Sequence, residues 1–162
     1  MQRLPPSWAE RDATVVAPDL LHKVARLGPH LARITEVEAY TRDDPASHSF
    51  RGPTERNAPM FGPPGHWYVY LIYGMHHCLN LVTGAEGDGQ AVLIRSVVVD
   101  GIEARRTTGP GRLCRELGID RSWNGREAEL YDDGHVPGRP HLVTPRIGIT
   151  KAADWPRRWL AG

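Results

Sequence analysis

The segment Ile34–Tyr40 reads I-T-E-V-E-A-Y, and its pattern predicts a β-strand with one polar face. Its β-branched residues favour an extended chain. In a strand, alternate side chains share a face, so we expect Glu36, Glu38 and Tyr40 to line up on one side. Two carboxylates and a phenol suit a surface or the wall of a polar cleft better than a core. An ordinary solvated strand face is the alternative that this motif alone leaves open.

The composition is that of a small globular protein. A chain of 162 residues can bury a sizeable core, and we expect a single domain over residues 1–162. The formal net charge is +1, which does not by itself indicate a nucleic-acid-binding protein. The positive charge is almost all arginine, since only Lys23 and Lys151 are lysines. Arginine suits bidentate phosphate contacts, but a GC-rich genome would give the same bias.

Three features lead us to expect a cytoplasmic protein without a membrane partner. No apolar run approaches the roughly 20 residues that span a bilayer. The N-terminal M-Q-R-L-P-P-S-W lacks the apolar core of a signal peptide. Cys78 and Cys114 are too few for a disulfide framework, so a reducing cytosol is the expected compartment.

A β-hairpin is predicted in the middle of the chain. Residues 67–73 read W-Y-V-Y-L-I-Y, and after Gly74-Met75 the chain continues as H-H-C-L-N-L-V. Tyr73 falls next to the turn, where small polar residues are usual. Either it stands at an exposed tip, or the tip folds back and buries it in the core.

A strongly apolar strand is predicted at Ala91–Val99, interrupted by Arg95. A buried arginine needs an anionic partner, because an uncompensated buried charge costs several kcal/mol. Glu36 and Glu38 are the candidate partners. An exposed Arg95 at a strand kink is the alternative.

The other predicted elements are short. Residues 1–13 are expected to form a polar lead-in. We further expect strands around the turn at Gly28-Pro29, a turn or the start of a helix at residues 17–21, a short helix at 101–107, a helix opened by Gly109-Pro110-Gly111 and closed by Gly118, and a final strand at 144–149.

A long irregular segment spans residues 41–65. It shows no hydrophobic period and contains several proline and glycine turn formers. An irregular loop of this length inside a compact domain is usually functional or disordered. It carries His48, Arg51, Arg56 and Asn57, which favours a functional loop.

Several catalytic chemistries lack the residues that they need. His76, His77 and Cys78 alternate across a strand and cannot converge on a metal, and neither H-E-x-x-H nor a pair of C-x-x-C motifs occurs. Phosphate-binding glycine loops and a G-x-S-x-G nucleophile elbow do not occur either. A Schiff-base lysine would have to be Lys23 or Lys151, neither in an aromatic or acidic segment, while the terminal amine remains possible. A carboxylate strand, an arginine strand and aromatic residues on strands remain, which suit a general base that activates water beside a flat ring.

Six segments of the chain resemble the alkyladenine (3-methyladenine) DNA glycosylases in their bacterial form. They occur in the order of that family and cover roughly residues 17–160. They are E-V-E-A-Y (36–40), D-P-A-S-H-S (44–49), R-N-A-P-M-F-G-P-P-G-H-W-Y-V-Y-L-I-Y-G-M-H (56–76), A-V-L-I-R (91–95), G-P-G-R-L-C-R-E-L-G-I (109–119) and P-R-I-G-I-T-K-A-A-D-W (145–155). The resemblance implies an α+β fold: one domain with a curved, mostly antiparallel sheet, flanking helices and a protruding β-hairpin.

The resemblance also implies catalytic and base-binding roles. Glu38 matches the general base of the family, and Arg95 matches the arginine that helps to position the attacking water. Tyr40 and Tyr70 match the two rings that sandwich the flipped base. The backbone carbonyl of Ile149 falls where the family offers an acceptor to the water.

Four further residues match DNA- and base-recognition positions of the family. His48 matches a hydrogen-bond donor at the pocket, and Asn80 matches the residue that crowds the exocyclic amine of normal guanine. Tyr73 matches the side chain that is wedged into the duplex. Arg112 matches a basic position near the DNA backbone.

The implied activity is monofunctional excision of alkylated purines from double-stranded DNA, without lyase activity. Extrusion of the base costs a few kcal/mol, and stacking on tyrosines returns on the order of 1–3 kcal/mol. N-alkylation makes the purine cationic, which favours a tyrosine face and weakens the glycosidic bond. The expected protein is a monomer that needs no metal and no cofactor.

Two other functions remain open. A catalytically weak nucleic-acid-binding module could share the fold, because residues 105–108 join two segments that relatives usually separate by a longer stretch. A nucleoside N-glycosidase could use the same carboxylate without a duplex.

Overall fold

The computed structural model describes residues 1–162. It contains two α-helices and nine strands. The helices are Ala13–Leu20 (α1) and Pro110–Leu117 (α2). The strands are Gln2–Leu4 (β1), Val24–Leu27 (β2), His30–Tyr40 (β3), Trp67–Ile72 (β4), His76–Thr83 (β5), Gln90–Val99 (β6), Leu130–Asp132 (β7), Leu142–Thr144 (β8) and Arg158–Leu160 (β9).

All nine strands belong to one antiparallel sheet. The main order is β1-β7-β2-β3-β6-β5-β4, and β8 joins through β9, which pairs with β3. The predicted α+β fold, with a mostly antiparallel sheet, flanking helices and a β-hairpin, is therefore confirmed. None of the helices is both long enough and apolar enough to span a bilayer.

The two faces of the sheet differ in polarity. One face supplies residues such as Val37 to the core that the helices complete. Cross-strand partners Glu38, Leu93, Asn80 and Tyr68 form a row over β3, β6, β5 and β4. Directly paired residues point to the same side of a sheet, and neighbours in sequence point to opposite sides. This row therefore lies on the face opposite the main core.

A β-bulge interrupts the pairing of β3 with β6 at the acidic motif. Val37 pairs with Ile94 and Glu36 with Ser96, which leaves Arg95 without a partner in the ladder. An extra residue of this kind breaks the alternation of side chains and re-aims them. Arg95 and Ser96 consequently both contact Glu36, although they are neighbours in sequence.

The prediction for the N-terminus was wrong. Residues 2–4 form β1, which pairs with β7. For residues 17–21 the sequence left a turn or the start of a helix open; the helix instead begins at Ala13 and ends at Leu20, and a turn follows at residues 21–22. Asp12 caps this helix by accepting a hydrogen bond from the Thr14 amide at 2.9 Å. The buried positions 13, 16, 17 and 20 follow a helical period, so the signal was present in the sequence.

Of two other predicted elements, the short helix at 101–107 is present only in part, and the final strand at 144–149 was wrong. Only a 3-10 turn, Ala104–Arg106, occurs within residues 101–107, because Thr108 is drawn into an extended bridge with Ser96. The strand predicted at 144–149 ends at Thr144. Pro145 supplies no amide hydrogen to a ladder, and Gly148 turns the chain with φ +74°.

The predicted hairpin is confirmed. Its strands β4 and β5 pair from Trp67 with Leu81 to Ile72 with His76. Tyr73 adopts φ +51° at the turn and is 85% exposed, so it is not part of the core. The two strands around Gly28 and the helix closed by left-handed Gly118 also agree with the sequence interpretation.

Candidate active site

A cavity of about 450 Å³ opens on the polar face of the sheet. Five stretches of chain line it: the end of β3, the segment 45–60, the hairpin, Leu93 of β6 and the segment 148–151. The lining includes all five predicted base-binding residues, namely Tyr40, His48, Tyr70, Asn80 and Ile149, together with Tyr73. The cavity therefore gathers residues that are distant in sequence.

Aromatic rings form one wall of the cavity. The His48 ring stands perpendicular to Tyr70, with centroids 3.9 Å apart. Tyr68 lies nearly parallel to Tyr70 at 5.9 Å, and its hydroxyl is 3.4 Å from Nδ1 of His48. Tyr68 was not predicted as a site residue, although its alternation with Tyr70 in W-Y-V-Y was a signal for it. The wall is thus a packed cluster of three rings.

Glu38 lies beneath the cavity and is fully buried. Its Oε1 accepts a hydrogen bond from the Tyr40 hydroxyl at 3.0 Å and lies 3.6 Å from Nη1 of Arg95. Its Oε2 accepts a hydrogen bond from the backbone amide of Ile147 at 2.8 Å. The solvated strand face that the motif left open is therefore excluded. A buried carboxylate in contact with a cavity wall is a candidate general base.

Arg95 is shared between two carboxylates. Its Nε donates to Oε2 of Glu36 at 3.2 Å, a shorter contact than the one to Glu38. Glu36 also accepts hydrogen bonds from the hydroxyl of Ser96 and the Nε of Arg158, both at 2.6 Å. The exposed Arg95 considered from the sequence is thus excluded, and Glu36 is its main anchor.

The surroundings shift the pKa values of several of these groups. Burial lowers the pKa of His48 from 6.5, and Arg56 adds to the effect. Burial is also the main reason for the raised pKa values of Tyr40 and Tyr70. Burial opposes ionisation of Glu36 as well, but its hydrogen bonds and the nearby arginines outweigh burial and lower its pKa from 4.5. At neutral pH the imidazole is therefore neutral and Glu36 is ionised.

Asn80 and Ile149 lie at the cavity in different ways. The Asn80 amide donates to the backbone oxygens of Tyr68 and Cys78, at 3.2 and 3.3 Å, which fixes its orientation. Ile149 lines the cavity, but the backbone group that touches Glu38 belongs to Ile147, two residues earlier. The sequence interpretation did not single out Ile147.

Tyr73 and Arg112 lie outside the ring cluster. Tyr73 is at the cavity rim on the hairpin tip. Arg112 is in the first turn of α2, in an exposed surface depression that it shares with Arg105, Arg106 and Arg115. Glu103 and Glu116 also line this depression and pair with Arg105 and Arg106, so two of its four arginines are free of an acidic partner. The neighbouring Gly111 approaches His76 at the base of the hairpin tip, so this basic surface and the tip are close in space.

The structure also brings in residues that the sequence interpretation set aside. Lys151 lines the cavity, although its segment gave no sign of a nucleophile. Arg146 and Asp44 form a fully buried ion pair behind Tyr40. Both belong to segments quoted for the family resemblance, but no periodicity or spacing distinguished them. No three His, Cys, Asp or Glu side chains lie together in a way that could hold a metal ion.

The fold and site together define an α+β protein with an aromatic cavity above a buried carboxylate, a class of site suited to a flat ring. Comparison with known families narrows this class. The methylpurine-DNA glycosylase (MPG) family model matches residues 7–162, and the chain belongs to this family. It is accordingly a DNA glycosylase of base-excision repair, a hydrolase acting on N-glycosyl bonds.

Proteins from an archaeon and from bacteria are similar to this chain over nearly its whole length. A protein of Methanoculleus marisnigri named "Putative 3-methyladenine DNA glycosylase" is 46% identical, over 96% of this chain and 93% of its own length. Proteins of the same name from a Synechococcus species and Burkholderia lata are 44% and 43% identical. These matches cover 94% and 96% of this chain, and 92% and 86% of the relatives.

Proposed function

We propose that this protein excises alkylated purines from duplex DNA, using a water molecule that Glu38 activates. The observation that carries the proposal is the position of the Glu38 carboxylate, which contacts the cavity wall at Tyr40 and lies 3.6 Å from Arg95. The 3-methyladenine in the names of the relatives belongs to the same class of substrate.

The cavity suits a flat, cationic ring. Stacking on an aromatic side chain contributes about 1–3 kcal/mol per base, and an N-alkylated purine adds attraction between its positive charge and a tyrosine face. Tyr40 and Tyr70 both present rings to the cavity. Because burial lowers the pKa of His48, its neutral ring does not repel such a base. Asn80, held by the hairpin backbone, would crowd the exocyclic amine of guanine.

The chemistry requires one proton acceptor and no external reagent. Water oxygen forms a bond to the anomeric carbon as the N-glycosidic bond breaks, and the bonding electrons leave with the cationic purine. The released proton goes to Glu38. The carboxylate also stabilises the positive charge that develops on the sugar, and Arg95 balances the carboxylate before reaction. The Tyr40 hydroxyl occupies one side of Oε1 and must share or yield that position to the water.

A second groove beside the cavity suits the DNA strand. It measures about 640 Å³ and shares Tyr70, Tyr73 and Lys151 with the base cavity. Arg51 and Arg56 add two permanent positive charges, and no acidic side chain lines the groove. Contacts to phosphates supply most sequence-independent DNA affinity, so this groove and the rim at Tyr73 favour a duplex substrate over a free nucleoside.

Substitution Glu38→Gln tests the mechanism. The variant should bind methylated duplex with wild-type affinity but release methylated purines at least about 100-fold more slowly, because the proton acceptor is removed. The measurement is single-turnover release of 3-methyladenine and 7-methylguanine from methylated DNA, with and without EDTA. Unchanged release by this variant would exclude Glu38 as the base.

The position of Lys151 makes a lysine-dependent lyase the second candidate. Its amine would attack the anomeric carbon as the purine leaves, the sugar ring would open to give an imine, and β-elimination of the 3′ phosphate would then cleave the strand. Sodium borohydride should trap no protein–DNA adduct if water is the nucleophile, and the product strand should remain intact at the abasic site. A trapped adduct that disappears in Lys151→Met would instead identify a bifunctional enzyme.

A further inference from the structure

One buried arginine, Arg146, contacts two other segments that line the proposed base-binding cavity, the end of β3 and the start of the 41–65 segment. Arg146 follows β8, and its side chain is completely buried, as is that of Asp44. The two Nη atoms of Arg146 donate to the two carboxylate oxygens of Asp44, the contact from Nη2 being 3.0 Å. Nη1 also donates to the backbone oxygen of Ala39 at 3.1 Å. The guanidinium therefore ties the start of the 41–65 segment to the end of β3.

The same guanidinium covers one face of Tyr40. Its central carbon lies 4.7 Å from the centroid of the tyrosine ring. Tyr40 lines the base cavity, whereas Arg146 does not, so the cation lies on the side of the ring away from the cavity. A planar guanidinium packs well on a ring face. The ring that would stack on the base is thus held from its buried side.

The residue next to Arg146 holds the catalytic carboxylate. The amide of Ile147 donates to Oε2 of Glu38 at 2.8 Å. Anchoring of Arg146 by Asp44 therefore fixes the backbone that fixes Glu38. Tyr40 completes the connection, since its hydroxyl donates to the other oxygen of Glu38.

Stability alone is a weak reason for such a buried pair. Well-packed apolar residues of similar volume often match or exceed the stability of a buried ion pair. In addition, the buried Nε of Arg146 has no hydrogen-bond acceptor, which costs about 1–3 kcal/mol. The geometry around Tyr40 and Glu38 offers a further reason for the pair.

We propose that Arg146, held by Asp44, is a positioning residue that sets the Tyr40 ring and the Glu38 carboxylate in register with each other. This proposal rests on the proposed function of the cavity. Arg146 does not itself touch the base or the water. Its role is to keep the stacking surface and the proton acceptor in the geometry that base release requires.

The test replaces both charges together, because removal of one partner would leave an unpaired buried charge. In the double variant Asp44→Leu/Arg146→Met, we expect a free energy of unfolding near that of the wild type. We expect single-turnover release of methylated purines to fall by about 10- to 100-fold, with little change in the affinity for methylated duplex. Arg146→Lys keeps a charge for Asp44 but loses the planar fork, so it should retain stability and still release base slowly.

Arg157 provides a matched control. It lies 3.8 Å from Asp44 and donates to the Thr41 hydroxyl at 2.6 Å. It packs on Trp155 at 4.5 Å, which Arg146 also approaches, whereas only Arg146 stacks on Tyr40. Arg157→Met should therefore change the rate of base release by less than about two-fold. If Arg157→Met slows base release as much as the double variant does, any disturbance of the residues around Asp44 slows release, and the specific role proposed for Arg146 is wrong.

A second readout does not depend on activity. The protein is labelled with 3-fluorotyrosine and observed by fluorine NMR. The fluorine resonance of Tyr40 is assigned by its disappearance in Tyr40→Phe. In the DNA-free double variant and in Arg146→Lys, this resonance should shift and broaden, while those of Tyr73 and Tyr131 stay unchanged. A wild-type protein that released no base would refute the proposed function, whereas an unchanged Tyr40 resonance together with wild-type release rates in stable variants would overturn the role of Arg146.

Discussion

Two glutamates of one strand face have different surroundings and therefore different roles. The oxygens of Glu38 contact a tyrosine hydroxyl and a backbone amide, with Arg95 at 3.6 Å. Those of Glu36 accept charged or hydroxyl donors at 2.6 to 3.2 Å from Ser96, Arg158 and Arg95. Glu36 is thus the structural anchor, and Glu38 is the carboxylate with access to the cavity wall.

The lowered pKa of Glu36 predicts a pH-dependent contribution to stability. A carboxylate with a depressed folded-state pKa stabilises the fold fully above its unfolded value of 4.5. This contribution is lost as the pH falls through the lowered value. The difference in free energy of unfolding between wild type and Glu36→Gln should therefore be largest above pH 4.5 and shrink below it, as urea denaturation at a series of pH values would measure.

Asp133 serves as the comparison for this titration. It pairs with Arg33 at a more exposed site, and that hydrogen bond lowers its pKa. Because solvent screens this pair, Asp133→Asn should lower stability less than Glu36→Gln at pH 7. Equal losses in the free energy of unfolding of both variants would mean that the burial of Glu36 and its partners does not increase their contribution to stability.

At the scale of elements, the hairpin and the bulge prepare the site. The hairpin strands carry the aromatic wall and Asn80, and its turn places Tyr73 in solvent. An exposed tyrosine with φ +51° costs conformational energy that the core does not repay. The hairpin tip is therefore a candidate contact with the DNA stack.

Removal of the Tyr73 ring tests the hairpin tip. Tyr73→Ala should weaken base release from duplex DNA by about 10-fold or more, because nothing would fill the space that the extruded base leaves. Release from a single-stranded oligonucleotide with the same lesion should change little, and so should thermal stability. An equal decrease on both substrates would argue that the tip supports the cavity wall rather than the duplex.

Sequence patterns predicted the central strands better than the connecting segments. Runs of β-branched, aromatic and apolar residues identified β3 to β6, and alternation gave the common face of Glu36, Glu38 and Tyr40, because a strand has a period of two. The bulge at Arg95 could not be read from the sequence, since it depends on the register with β3. Without the bulge, Ser96 would face away from Glu36.

At the scale of the whole molecule, DNA binding must depend on local rather than net charge. The formal net charge is only +1, and several arginines are paired with acids at the β1 and β7 edge. Arg51 and Arg56 instead line a groove without acidic residues. This distribution concentrates positive potential near the cavity.

The salt dependence of binding measures this local charge. The slope of log K against log salt concentration changes by about 0.9 for each phosphate that the protein neutralises. Arg51→Ala/Arg56→Ala should therefore make the slope for undamaged duplex shallower by up to about twice this amount, because two phosphate contacts are lost. Fluorescence anisotropy over a KCl series measures the slope. Arg3→Ala/Arg26→Ala, at the opposite edge of the sheet, is the charge-matched control and should leave the slope unchanged.

The sequence by itself determined the strand alternation, the hairpin and, through its motifs, the resemblance that the family comparison bears out. These are local properties, fixed by the period of a strand and by residue types that are neighbours in the chain. Only the tertiary structure decided that Glu38 is fully buried, that Ile147 holds its second oxygen, and that Arg146 lies behind Tyr40. Such contacts join residues about 100 positions apart, and their geometry follows from sheet register and core packing, which no local pattern encodes.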